Sequence, residues 1–164
     1  MDAEIREKFL ASVEAAAAGS LHDWNKNPDS ALALILLLDQ FSLNIFREGA
    51  KGYILSDRAL PLALECLDRG YHLNTHPVKK SFFYLPLEHA EDLELQRRAV
   101  ELFRSLEIEC KKTFWESWAN EAREFADRHL RVVERFGRFP HRNAALGRTS
   151  TPEEIEFLKA GIPF

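Results

Sequence analysis

The sequence lacks several features that would assign it to a familiar class of protein. Its longest apolar run covers only residues 31–38, whereas a membrane-spanning helix needs about 20 apolar residues. The N-terminus has neither the basic region nor the apolar core of a signal peptide. Only two cysteines occur, Cys66 and Cys110. Both lie in helical patterns, so we expect reduced thiols, no membrane contact and a cytoplasmic location.

An excess of positive charge is also absent. The 22 basic residues are outnumbered by 26 acidic residues, which gives a net charge of -4 and a pI near 5.9. General nucleic-acid binding is therefore not expected, because it needs a basic face. The sequence contains no HExxH pattern, no glycine-rich phosphate loop and no G-x-S-x-G motif. We accordingly predict no metal and no cofactor, and the sequence leaves open whether the protein is an enzyme.

Strand-like alternation is missing as well, and helical periodicity fills most of the chain. The 164 residues fit a single domain, 1–164. We predict an all-α fold of about six to seven helices that form antiparallel pairs. The predicted helices cover residues 2–18, 28–46, 60–70, 77–86, 87–110, 114–136 and 152–159.

Capping residues and helix breakers set these boundaries. Asn27 is expected to cap the second helix, and Gly19 to stop the first. Thr113 and Thr151 each stand three residues before a glutamate, which is the pattern of a capping box. Pro86 is expected to end or kink the fourth helix.

Four polar residues occupy positions where helical spacing calls for apolar side chains: Asp39, His89, Gln96 and His129. Gln96, for example, falls on the same helix face as its apolar neighbours Leu93 and Val100. Burying an unpaired polar group costs on the order of 1–3 kcal/mol. We therefore expect these four side chains to have hydrogen-bond partners, and the arginines are the obvious donors.

The arginine loop, defined here as residues 135–148, has an unusual composition. It contains four arginines and one histidine but no acid, and Gly137 and Pro140 break any helix through it. The loop could form a half-buried pocket with polar residues from elsewhere in the chain. In that pocket, three arginines would face two acids and two histidines: Arg47, Arg138, Arg142, Asp39, Asp92, His89 and His129.

Two interpretations of this polar set remain open. In one, the arginines bind a carboxylate or phosphate in bidentate fashion, and a histidine transfers a proton near neutral pH. In the other, the same residues form a structural network that ties loops to helices. Ion-pair networks of this kind can resemble binding sites in sequence.

Three motifs in order resemble the bacterial domain-of-unknown-function family 924. They are LLLDQF with NIFR at 36–47, YLPLEHAEDL with Gln96 at 84–96, and RFGRFPHRN with LGR at 135–148. The resemblance spans about residues 24–158 and implies a fold like tetratricopeptide repeats, without an established activity. The family usually has Pro-Arg where this chain has Ser42 and Leu43. The resemblance gives weight to thirteen candidate residues: Asp39, Gln40, Asn44, Arg47, His89, Glu91, Asp92, Gln96, His129, Arg138, His141, Arg142 and Asn143.

Two classes of function fit these observations. The first is a binding or interaction module that takes a protein or peptide partner on its paired helices. The second is an enzyme or receptor for a small anionic ligand, in which arginines hold the anion and a histidine acts as acid or base. The second class lacks an evident nucleophile or metal set, and the first does not explain why so many polar residues lie on core positions.

Overall fold

The computed structural model describes residues 2–47 and 49–161, and helices dominate this part of the chain without any strand. The all-α fold is confirmed, and the helices pack in pairs, as α6 and α7 do across the short turn 111–115. The tetratricopeptide-like arrangement stays a prediction. The helices are α1 Asp2–Ala17, α2 Pro28–Leu36, α3 Ser42–Ile45, α4 Ala50–Asp68, α5 Pro77–Glu88, α6 Leu93–Cys110, α7 Glu116–Phe136 and α8 Pro152–Ala160.

Several helix ends follow the predicted signals. The side chain of Asn27 accepts a hydrogen bond from the N–H of Ser30 at 3.1 Å and so caps α2. Thr151 and Glu154 form the predicted capping box, because each side chain accepts from the other residue's backbone N–H. Gly19, with φ of 79°, follows the end of α1. Helices α2 and α8 thus begin where a short polar side chain satisfies a backbone N–H of the first turn.

The predicted start of the third helix near residue 60 is wrong. Helix α4 already begins at Ala50 and continues through Pro61, whose ring is exposed. Gly52 lies within α4 rather than in a loop. A Cβ there would be 3.3 Å from the carbonyl oxygens of Ser42 and Phe46. Glycine therefore allows α4 to approach the backbone of α3 closely.

The predicted boundary at Pro86 is also wrong. Helix α5 continues through Pro86 to Glu88, and α6 begins only at Leu93. The carboxylate of Asp92 accepts the N–H of Leu95 at 2.9 Å and caps α6. His89 consequently lies in the loop 89–92 and not on the apolar stripe of a helix.

The capping box predicted at Thr113 does not form. The hydroxyl of Thr113 donates to the carbonyl of Cys110 at 2.6 Å, and α7 begins at Glu116 without a side-chain cap. The carboxylate of Glu116 instead accepts the N–H of Lys112 at 3.0 Å. Thr113 and Glu116 therefore stabilise the turn between α6 and α7 and do not cap α7 with a side chain.

A single turn of π-helix at Leu37–Phe41 connects α2 to α3, and the sequence analysis did not predict it. Such turns insert one residue into helical geometry and often occur at functional sites. Asp39 lies in this turn and is completely buried, as its place on the apolar stripe predicted. The hydroxyl of Ser42 donates to the carbonyl of Leu38, which satisfies one acceptor of the widened turn.

Backbone contacts cluster into two compact units, Met1–Pro86 and Leu87–Phe164, called here the first and the second unit. The first contains an apolar core cluster that includes Val13, Leu38 and Leu55. The second contains one around Val133 and Phe139. The single domain 1–164 stays a prediction. No helix in the described part of the chain has the length and apolarity to cross a membrane.

Candidate functional site

The second unit brings most of the candidate residues together. They come from four segments: the loop 89–92, the first turn of α6, the body of α7 and the arginine loop. The end of α5 and the start of α8 lie beside them and supply partners. Backbone turns hold the arginine loop in shape. Arg142 and Asn143 donate their N–H groups to the carbonyls of Phe139 and Pro140 at 3.1 and 3.0 Å. The loop is therefore an ordered element with internal hydrogen bonds.

Arg148 and Glu91 form a bidentate ion pair. The two terminal guanidinium nitrogens of Arg148 lie 2.5 and 2.8 Å from the carboxylate oxygens of Glu91. Glu91 also accepts the backbone N–H of Phe139 at 2.8 Å. Burial alone would raise the pKa of Glu91, but these hydrogen bonds and the Arg148 charge hold it below its usual value. The pair ties loop 89–92 to the arginine loop.

Arg138 and Glu154 form a second bidentate pair. The Nε and Nη2 atoms of Arg138 lie 2.7 and 2.9 Å from the two carboxylate oxygens, and Nη2 also donates to the carbonyl of Thr149 at 3.0 Å. The Glu154 side chain is only 2% exposed. The hydrogen bond from Arg138 is the main reason that the pKa of Glu154 falls to about 2. Glu154 is therefore ionised at neutral pH.

Asn143 links the two ion pairs. Its amide oxygen accepts from the Nε of Arg148 at 2.9 Å, while its amide nitrogen donates to Glu154 at 3.3 Å and to the Ser150 hydroxyl at 3.0 Å. Arg142 donates to the carbonyl of His89 at 2.9 Å. Its guanidinium carbon lies 4.4 Å from the centre of the Phe139 ring. The loop is thus cross-linked by polar contacts along its length.

Two histidines of this cluster, His129 and His141, are held neutral. Burial is the main cause that lowers the pKa of His129 to about 3 and that of His141 to about 4, and the Arg142 charge lowers both further. His129 Nδ1 lies 3.0 Å from the carbonyl of Phe125 and 3.5 Å from a carboxylate oxygen of Glu88. At neutral pH, neither His129 nor His141 carries the positive charge that an anion would need.

Gln96 is buried completely, as predicted, and it spans the loop 89–92. Its amide nitrogen donates to the carbonyls of Glu88 and Ala90 at 2.5 and 2.8 Å. Asp92 caps α6, as described above, and is exposed. Both residues therefore fix the shape of this loop, which carries Glu91 to its place opposite Arg148.

The four candidates of the first unit form a separate chain of hydrogen bonds. Asp39 accepts from the Ser56 hydroxyl and from the Gln40 amide, each at 2.5 Å. The Asn44 amide donates to the carbonyl of Gln40 at 2.8 Å. Arg47 was expected to face Asp39, but its guanidinium is exposed and bonds Asn44 at 3.0 Å together with Asp2. Arg47 thus lies on the surface of the first unit.

Three important members of the network were not among the candidates. Glu154 and Arg148 supply half of each ion pair, and Glu88 places a carboxylate, 1% exposed, beside His129. Thr151-x-x-Glu154 gave a signal, but only for a helix start. Arg148 stood in the arginine loop without an identifiable partner. Within residues 2–47 and 49–161, no group of three metal-binding side chains is arranged to hold an ion.

Together, the helices and the cross-linked loop define an all-α protein whose second unit carries an internally paired Arg/Glu network. The profile of one family, "Bacterial protein of unknown function (DUF924)", matches residues 1–161. The chain belongs to this family, which confirms the resemblance seen in the sequence.

A solved structure agrees with this assignment. The chain is 39% identical to a protein of unknown function, ATU0120, from Agrobacterium tumefaciens, and the two structures superpose with a TM-score of 0.80. The match covers 98% of this chain and 84% of the Agrobacterium protein. A search of curated proteins gives no match. The relatives therefore support the fold and the family, and the function must be argued from the residues.

Proposed function

We propose that the chain is a protein-binding module that presents an exposed aromatic turn. The aromatic turn is defined here as Ile108, Phe114, Trp115 and Trp118, around the connection of α6 to α7. The observation that carries the proposal is the exposure of Phe114, at 90%, together with that of Ile108, at 68%. Exposed apolar patches on a folded surface mark interaction sites.

The geometry of the aromatic turn suits an anchor for a partner. The ring of Phe114 packs edge-on against Trp115 at 5.2 Å, and Trp115 packs in the same way against Trp118 at 6.1 Å. The two tryptophans are half-buried, so the exposed Phe114 ring packs against side chains that are anchored in the fold. Tryptophan and other aromatic anchors contribute much of the binding energy in protein interfaces. The partner expected here is a protein or peptide with an apolar pocket for the Phe114 ring.

In this proposal the polar cluster of the second unit is a structural frame. The guanidiniums of Arg138 and Arg148 each bond both oxygens of a carboxylate from the same unit. An anionic ligand that displaced Glu154 would leave a buried carboxylate without its counter-charge, which is costly. This geometry supports a frame over the alternative, an enzyme or receptor whose anion is held by the arginine loop.

The interaction is tested by affinity capture from cells with three immobilised proteins: the wild type, Phe114→Ser and Ile54→Ser. Ile54 is a matched control, because it is 54% exposed but lies on α4 in the first unit. A partner should be retained by the wild type and by Ile54→Ser and lost by Phe114→Ser. Its binding should also protect amides of residues 108–118 from hydrogen exchange. Identical capture by all three proteins would contradict the proposal.

The frame is tested by comparing two arginines of the same loop. Arg138→Ala should lower the melting temperature clearly, since it strands the buried Glu154. Arg135→Ala should change the stability by less than about 0.5 kcal/mol, because Arg135 and Glu153 form an exposed pair. Any stabilisation by added anions should survive Arg138→Ala. A neutral Arg138→Ala, or anion stabilisation that vanishes with it, would favour the ligand site instead.

A cytoplasmic location is part of the same proposal. It is supported by the two cysteines, which are both buried and free. Burial is the main cause that raises the pKa of the Cys66 thiol to about 11, so this thiol is poorly reactive. Cell fractionation with an antibody against the chain tests the location, and recovery in a membrane or secreted fraction would contradict it.

A further inference from the structure

A cationic cleft of about 500 Å³ opens in the first unit, next to the end of α3 and the start of α4. This volume lies in the range of small-molecule sites. Among the residues that the structure describes, three basic residues and one acid line the cleft, although the chain as a whole has a net charge of -4. Its lining residues are Asp2, Arg6, Ile45, Phe46, Arg47, Gly49 and Lys51.

The ring of Phe46 contacts two of the three cations, Lys51 and Arg6. The Nζ of Lys51 lies 4.2 Å from the centre of the Phe46 ring, and the guanidinium carbon of Arg6 lies 5.7 Å from it. Such cation–π contacts hold a positive charge without neutralising it. Arg6 also donates to the carbonyl of Ile45 at 2.5 Å, which uses one of its five N–H groups. Lys51 has no ion pair in the part of the chain that the structure describes.

Arg47 is the third cation, and its ion pair is weak. Its Nε lies 3.0 Å from Asp2, but both side chains are exposed, at 63% and 42%. Exposed pairs of this kind contribute at most about 1 kcal/mol. Among residues 2–47 and 49–161, Arg6 and Lys51 have no carboxylate partner, and Arg47 has only this exposed one. Gly49 and Lys51 also bring the first turn of α4 to its wall, where backbone N–H groups add positive potential.

We propose that the cationic cleft binds the phosphate group of a small ligand. Three cations from separate positions match the several oxygens and double charge of a phosphate better than they match a single carboxylate. The cleft is roomier than one phosphate requires, and the Phe46 ring and Ile45 give it an apolar wall. This favours a phosphate ester over the free ion. The site lies in the first unit and does not depend on the proposed protein-binding turn.

Isothermal titration at constant ionic strength tests the site with three probes: inorganic phosphate, ribose 5-phosphate and unphosphorylated ribose. Ribose 5-phosphate should bind the wild type more tightly than inorganic phosphate does, and ribose should not bind. Equal affinity for both phosphates would overturn the preference for an ester. No binding of either phosphate at about 10 mM would overturn the site itself.

Four variants locate the binding. Arg47→Gln and Lys51→Gln should each weaken the affinity at least tenfold, while Lys8→Gln, on α1 outside the lining, should leave it unchanged. Asp2→Asn should tighten it, because it removes the competing carboxylate; a purely structural role of the Asp2–Arg47 pair predicts no such gain. Equal weakening by Lys8→Gln and Lys51→Gln would mean general charge attraction and would overturn the proposal. Capture through Phe114 tests a different unit, so the two proposals can fail separately.

Discussion

Single side chains hold the second unit's loops in place, and Gln96 is the plainest case. One amide nitrogen bonds two backbone carbonyls of the segment 88–90. The side chain is completely buried, so water cannot replace it. Gln96→Leu should therefore lower the free energy of unfolding by about 1–3 kcal/mol, since two buried carbonyls lose a donor.

Urea unfolding measures this loss, and Arg97→Leu is the control. Arg97 is the next residue on α6, but its side chain is exposed and pairs with the exposed Glu94. Its substitution should cost less than about 0.5 kcal/mol. If both variants were equally stable, Gln96 would not be the residue that fixes the loop.

The buried histidines predict how stability depends on pH. His129 and His141 have folded pKa values of about 3 and about 4, below the usual 6.5. The unfolded chain therefore takes up protons first as the pH falls, so stability is full above pH 6.5 and declines below it, by up to about 1.4 kcal/mol per pH unit for each histidine. Glu154, with a pKa of about 2, adds a loss of the same sign below pH 4.5.

Replacing the histidines should flatten this decline. His129→Gln and His141→Gln should each reduce the difference between the unfolding free energies at pH 7.5 and pH 5, and the double variant should reduce it further. Glu154 contributes little in this window, because its usual pKa is 4.5. An unchanged difference in both single variants would show that these imidazoles are not kept neutral by the fold.

Among the elements, the turn between α6 and α7 contains a strained backbone. Lys112 has φ of 63°, in the left-handed region, and is the one non-glycine residue there among the described residues. A side chain in this conformation costs about 1–2 kcal/mol relative to the right-handed region, and glycine avoids that cost. Lys112→Gly should therefore raise the free energy of unfolding by about 1 kcal/mol.

Lys111→Gly is the matched control, because Lys111 has an ordinary φ of -55°. Glycine at that position relieves no strain and adds entropy to the unfolded chain, so stability should fall slightly. Thermal unfolding of the two variants should give opposite shifts. A Lys112→Gly protein that melts no higher than Lys111→Gly would rule out the strain.

Helices of this chain show why capping signals predict some boundaries and miss others. Asn27 and Thr151 act locally, since each bonds a backbone N–H three residues ahead, and both ends were predicted correctly. Pro61 and Pro86 lie inside helices, although the sequence pattern predicted a helix start near Pro61 and a helix end at Pro86. Proline costs about 3 kcal/mol within a helix, and packing of the surrounding apolar residues outweighs this cost. That compensation is tertiary and leaves no local signal.

At the scale of the whole molecule, the property to measure is the number of units that unfold cooperatively. Its length predicts one domain, and backbone contacts cluster into the first and the second unit. We expect a single calorimetric transition, with equal calorimetric and van't Hoff enthalpies, as two-state unfolding requires. The measurement is differential scanning calorimetry of the intact chain, and two resolved transitions would contradict the prediction.

For the candidate site, the burial of single residues could be predicted from the sequence, whereas their partners could not. Periodicity alone placed Asp39, Gln96 and His129 in the core, and all three are buried. It could not supply their partners. Arg138 finds Glu154 across sixteen residues and Arg148 finds Glu91 across fifty-seven. Spacing in the sequence does not report such distances. The arginine loop could therefore be predicted as polar, but its carboxylate partners Glu154 and Glu91, outside the loop, could not be identified.

The sequence by itself determined the all-α fold, the helix starts at Asn27 and Thr151, and the family, because these depend on short-range periodicity, capping and motif order. Tertiary structure decided which charged side chains form ion pairs. Four arginines in one loop predicted a surplus of positive charge, yet three of them pair with carboxylates of the same unit. Charge balance at a site depends on the side chains that folding brings within a few ångströms, which neighbours in sequence do not reveal.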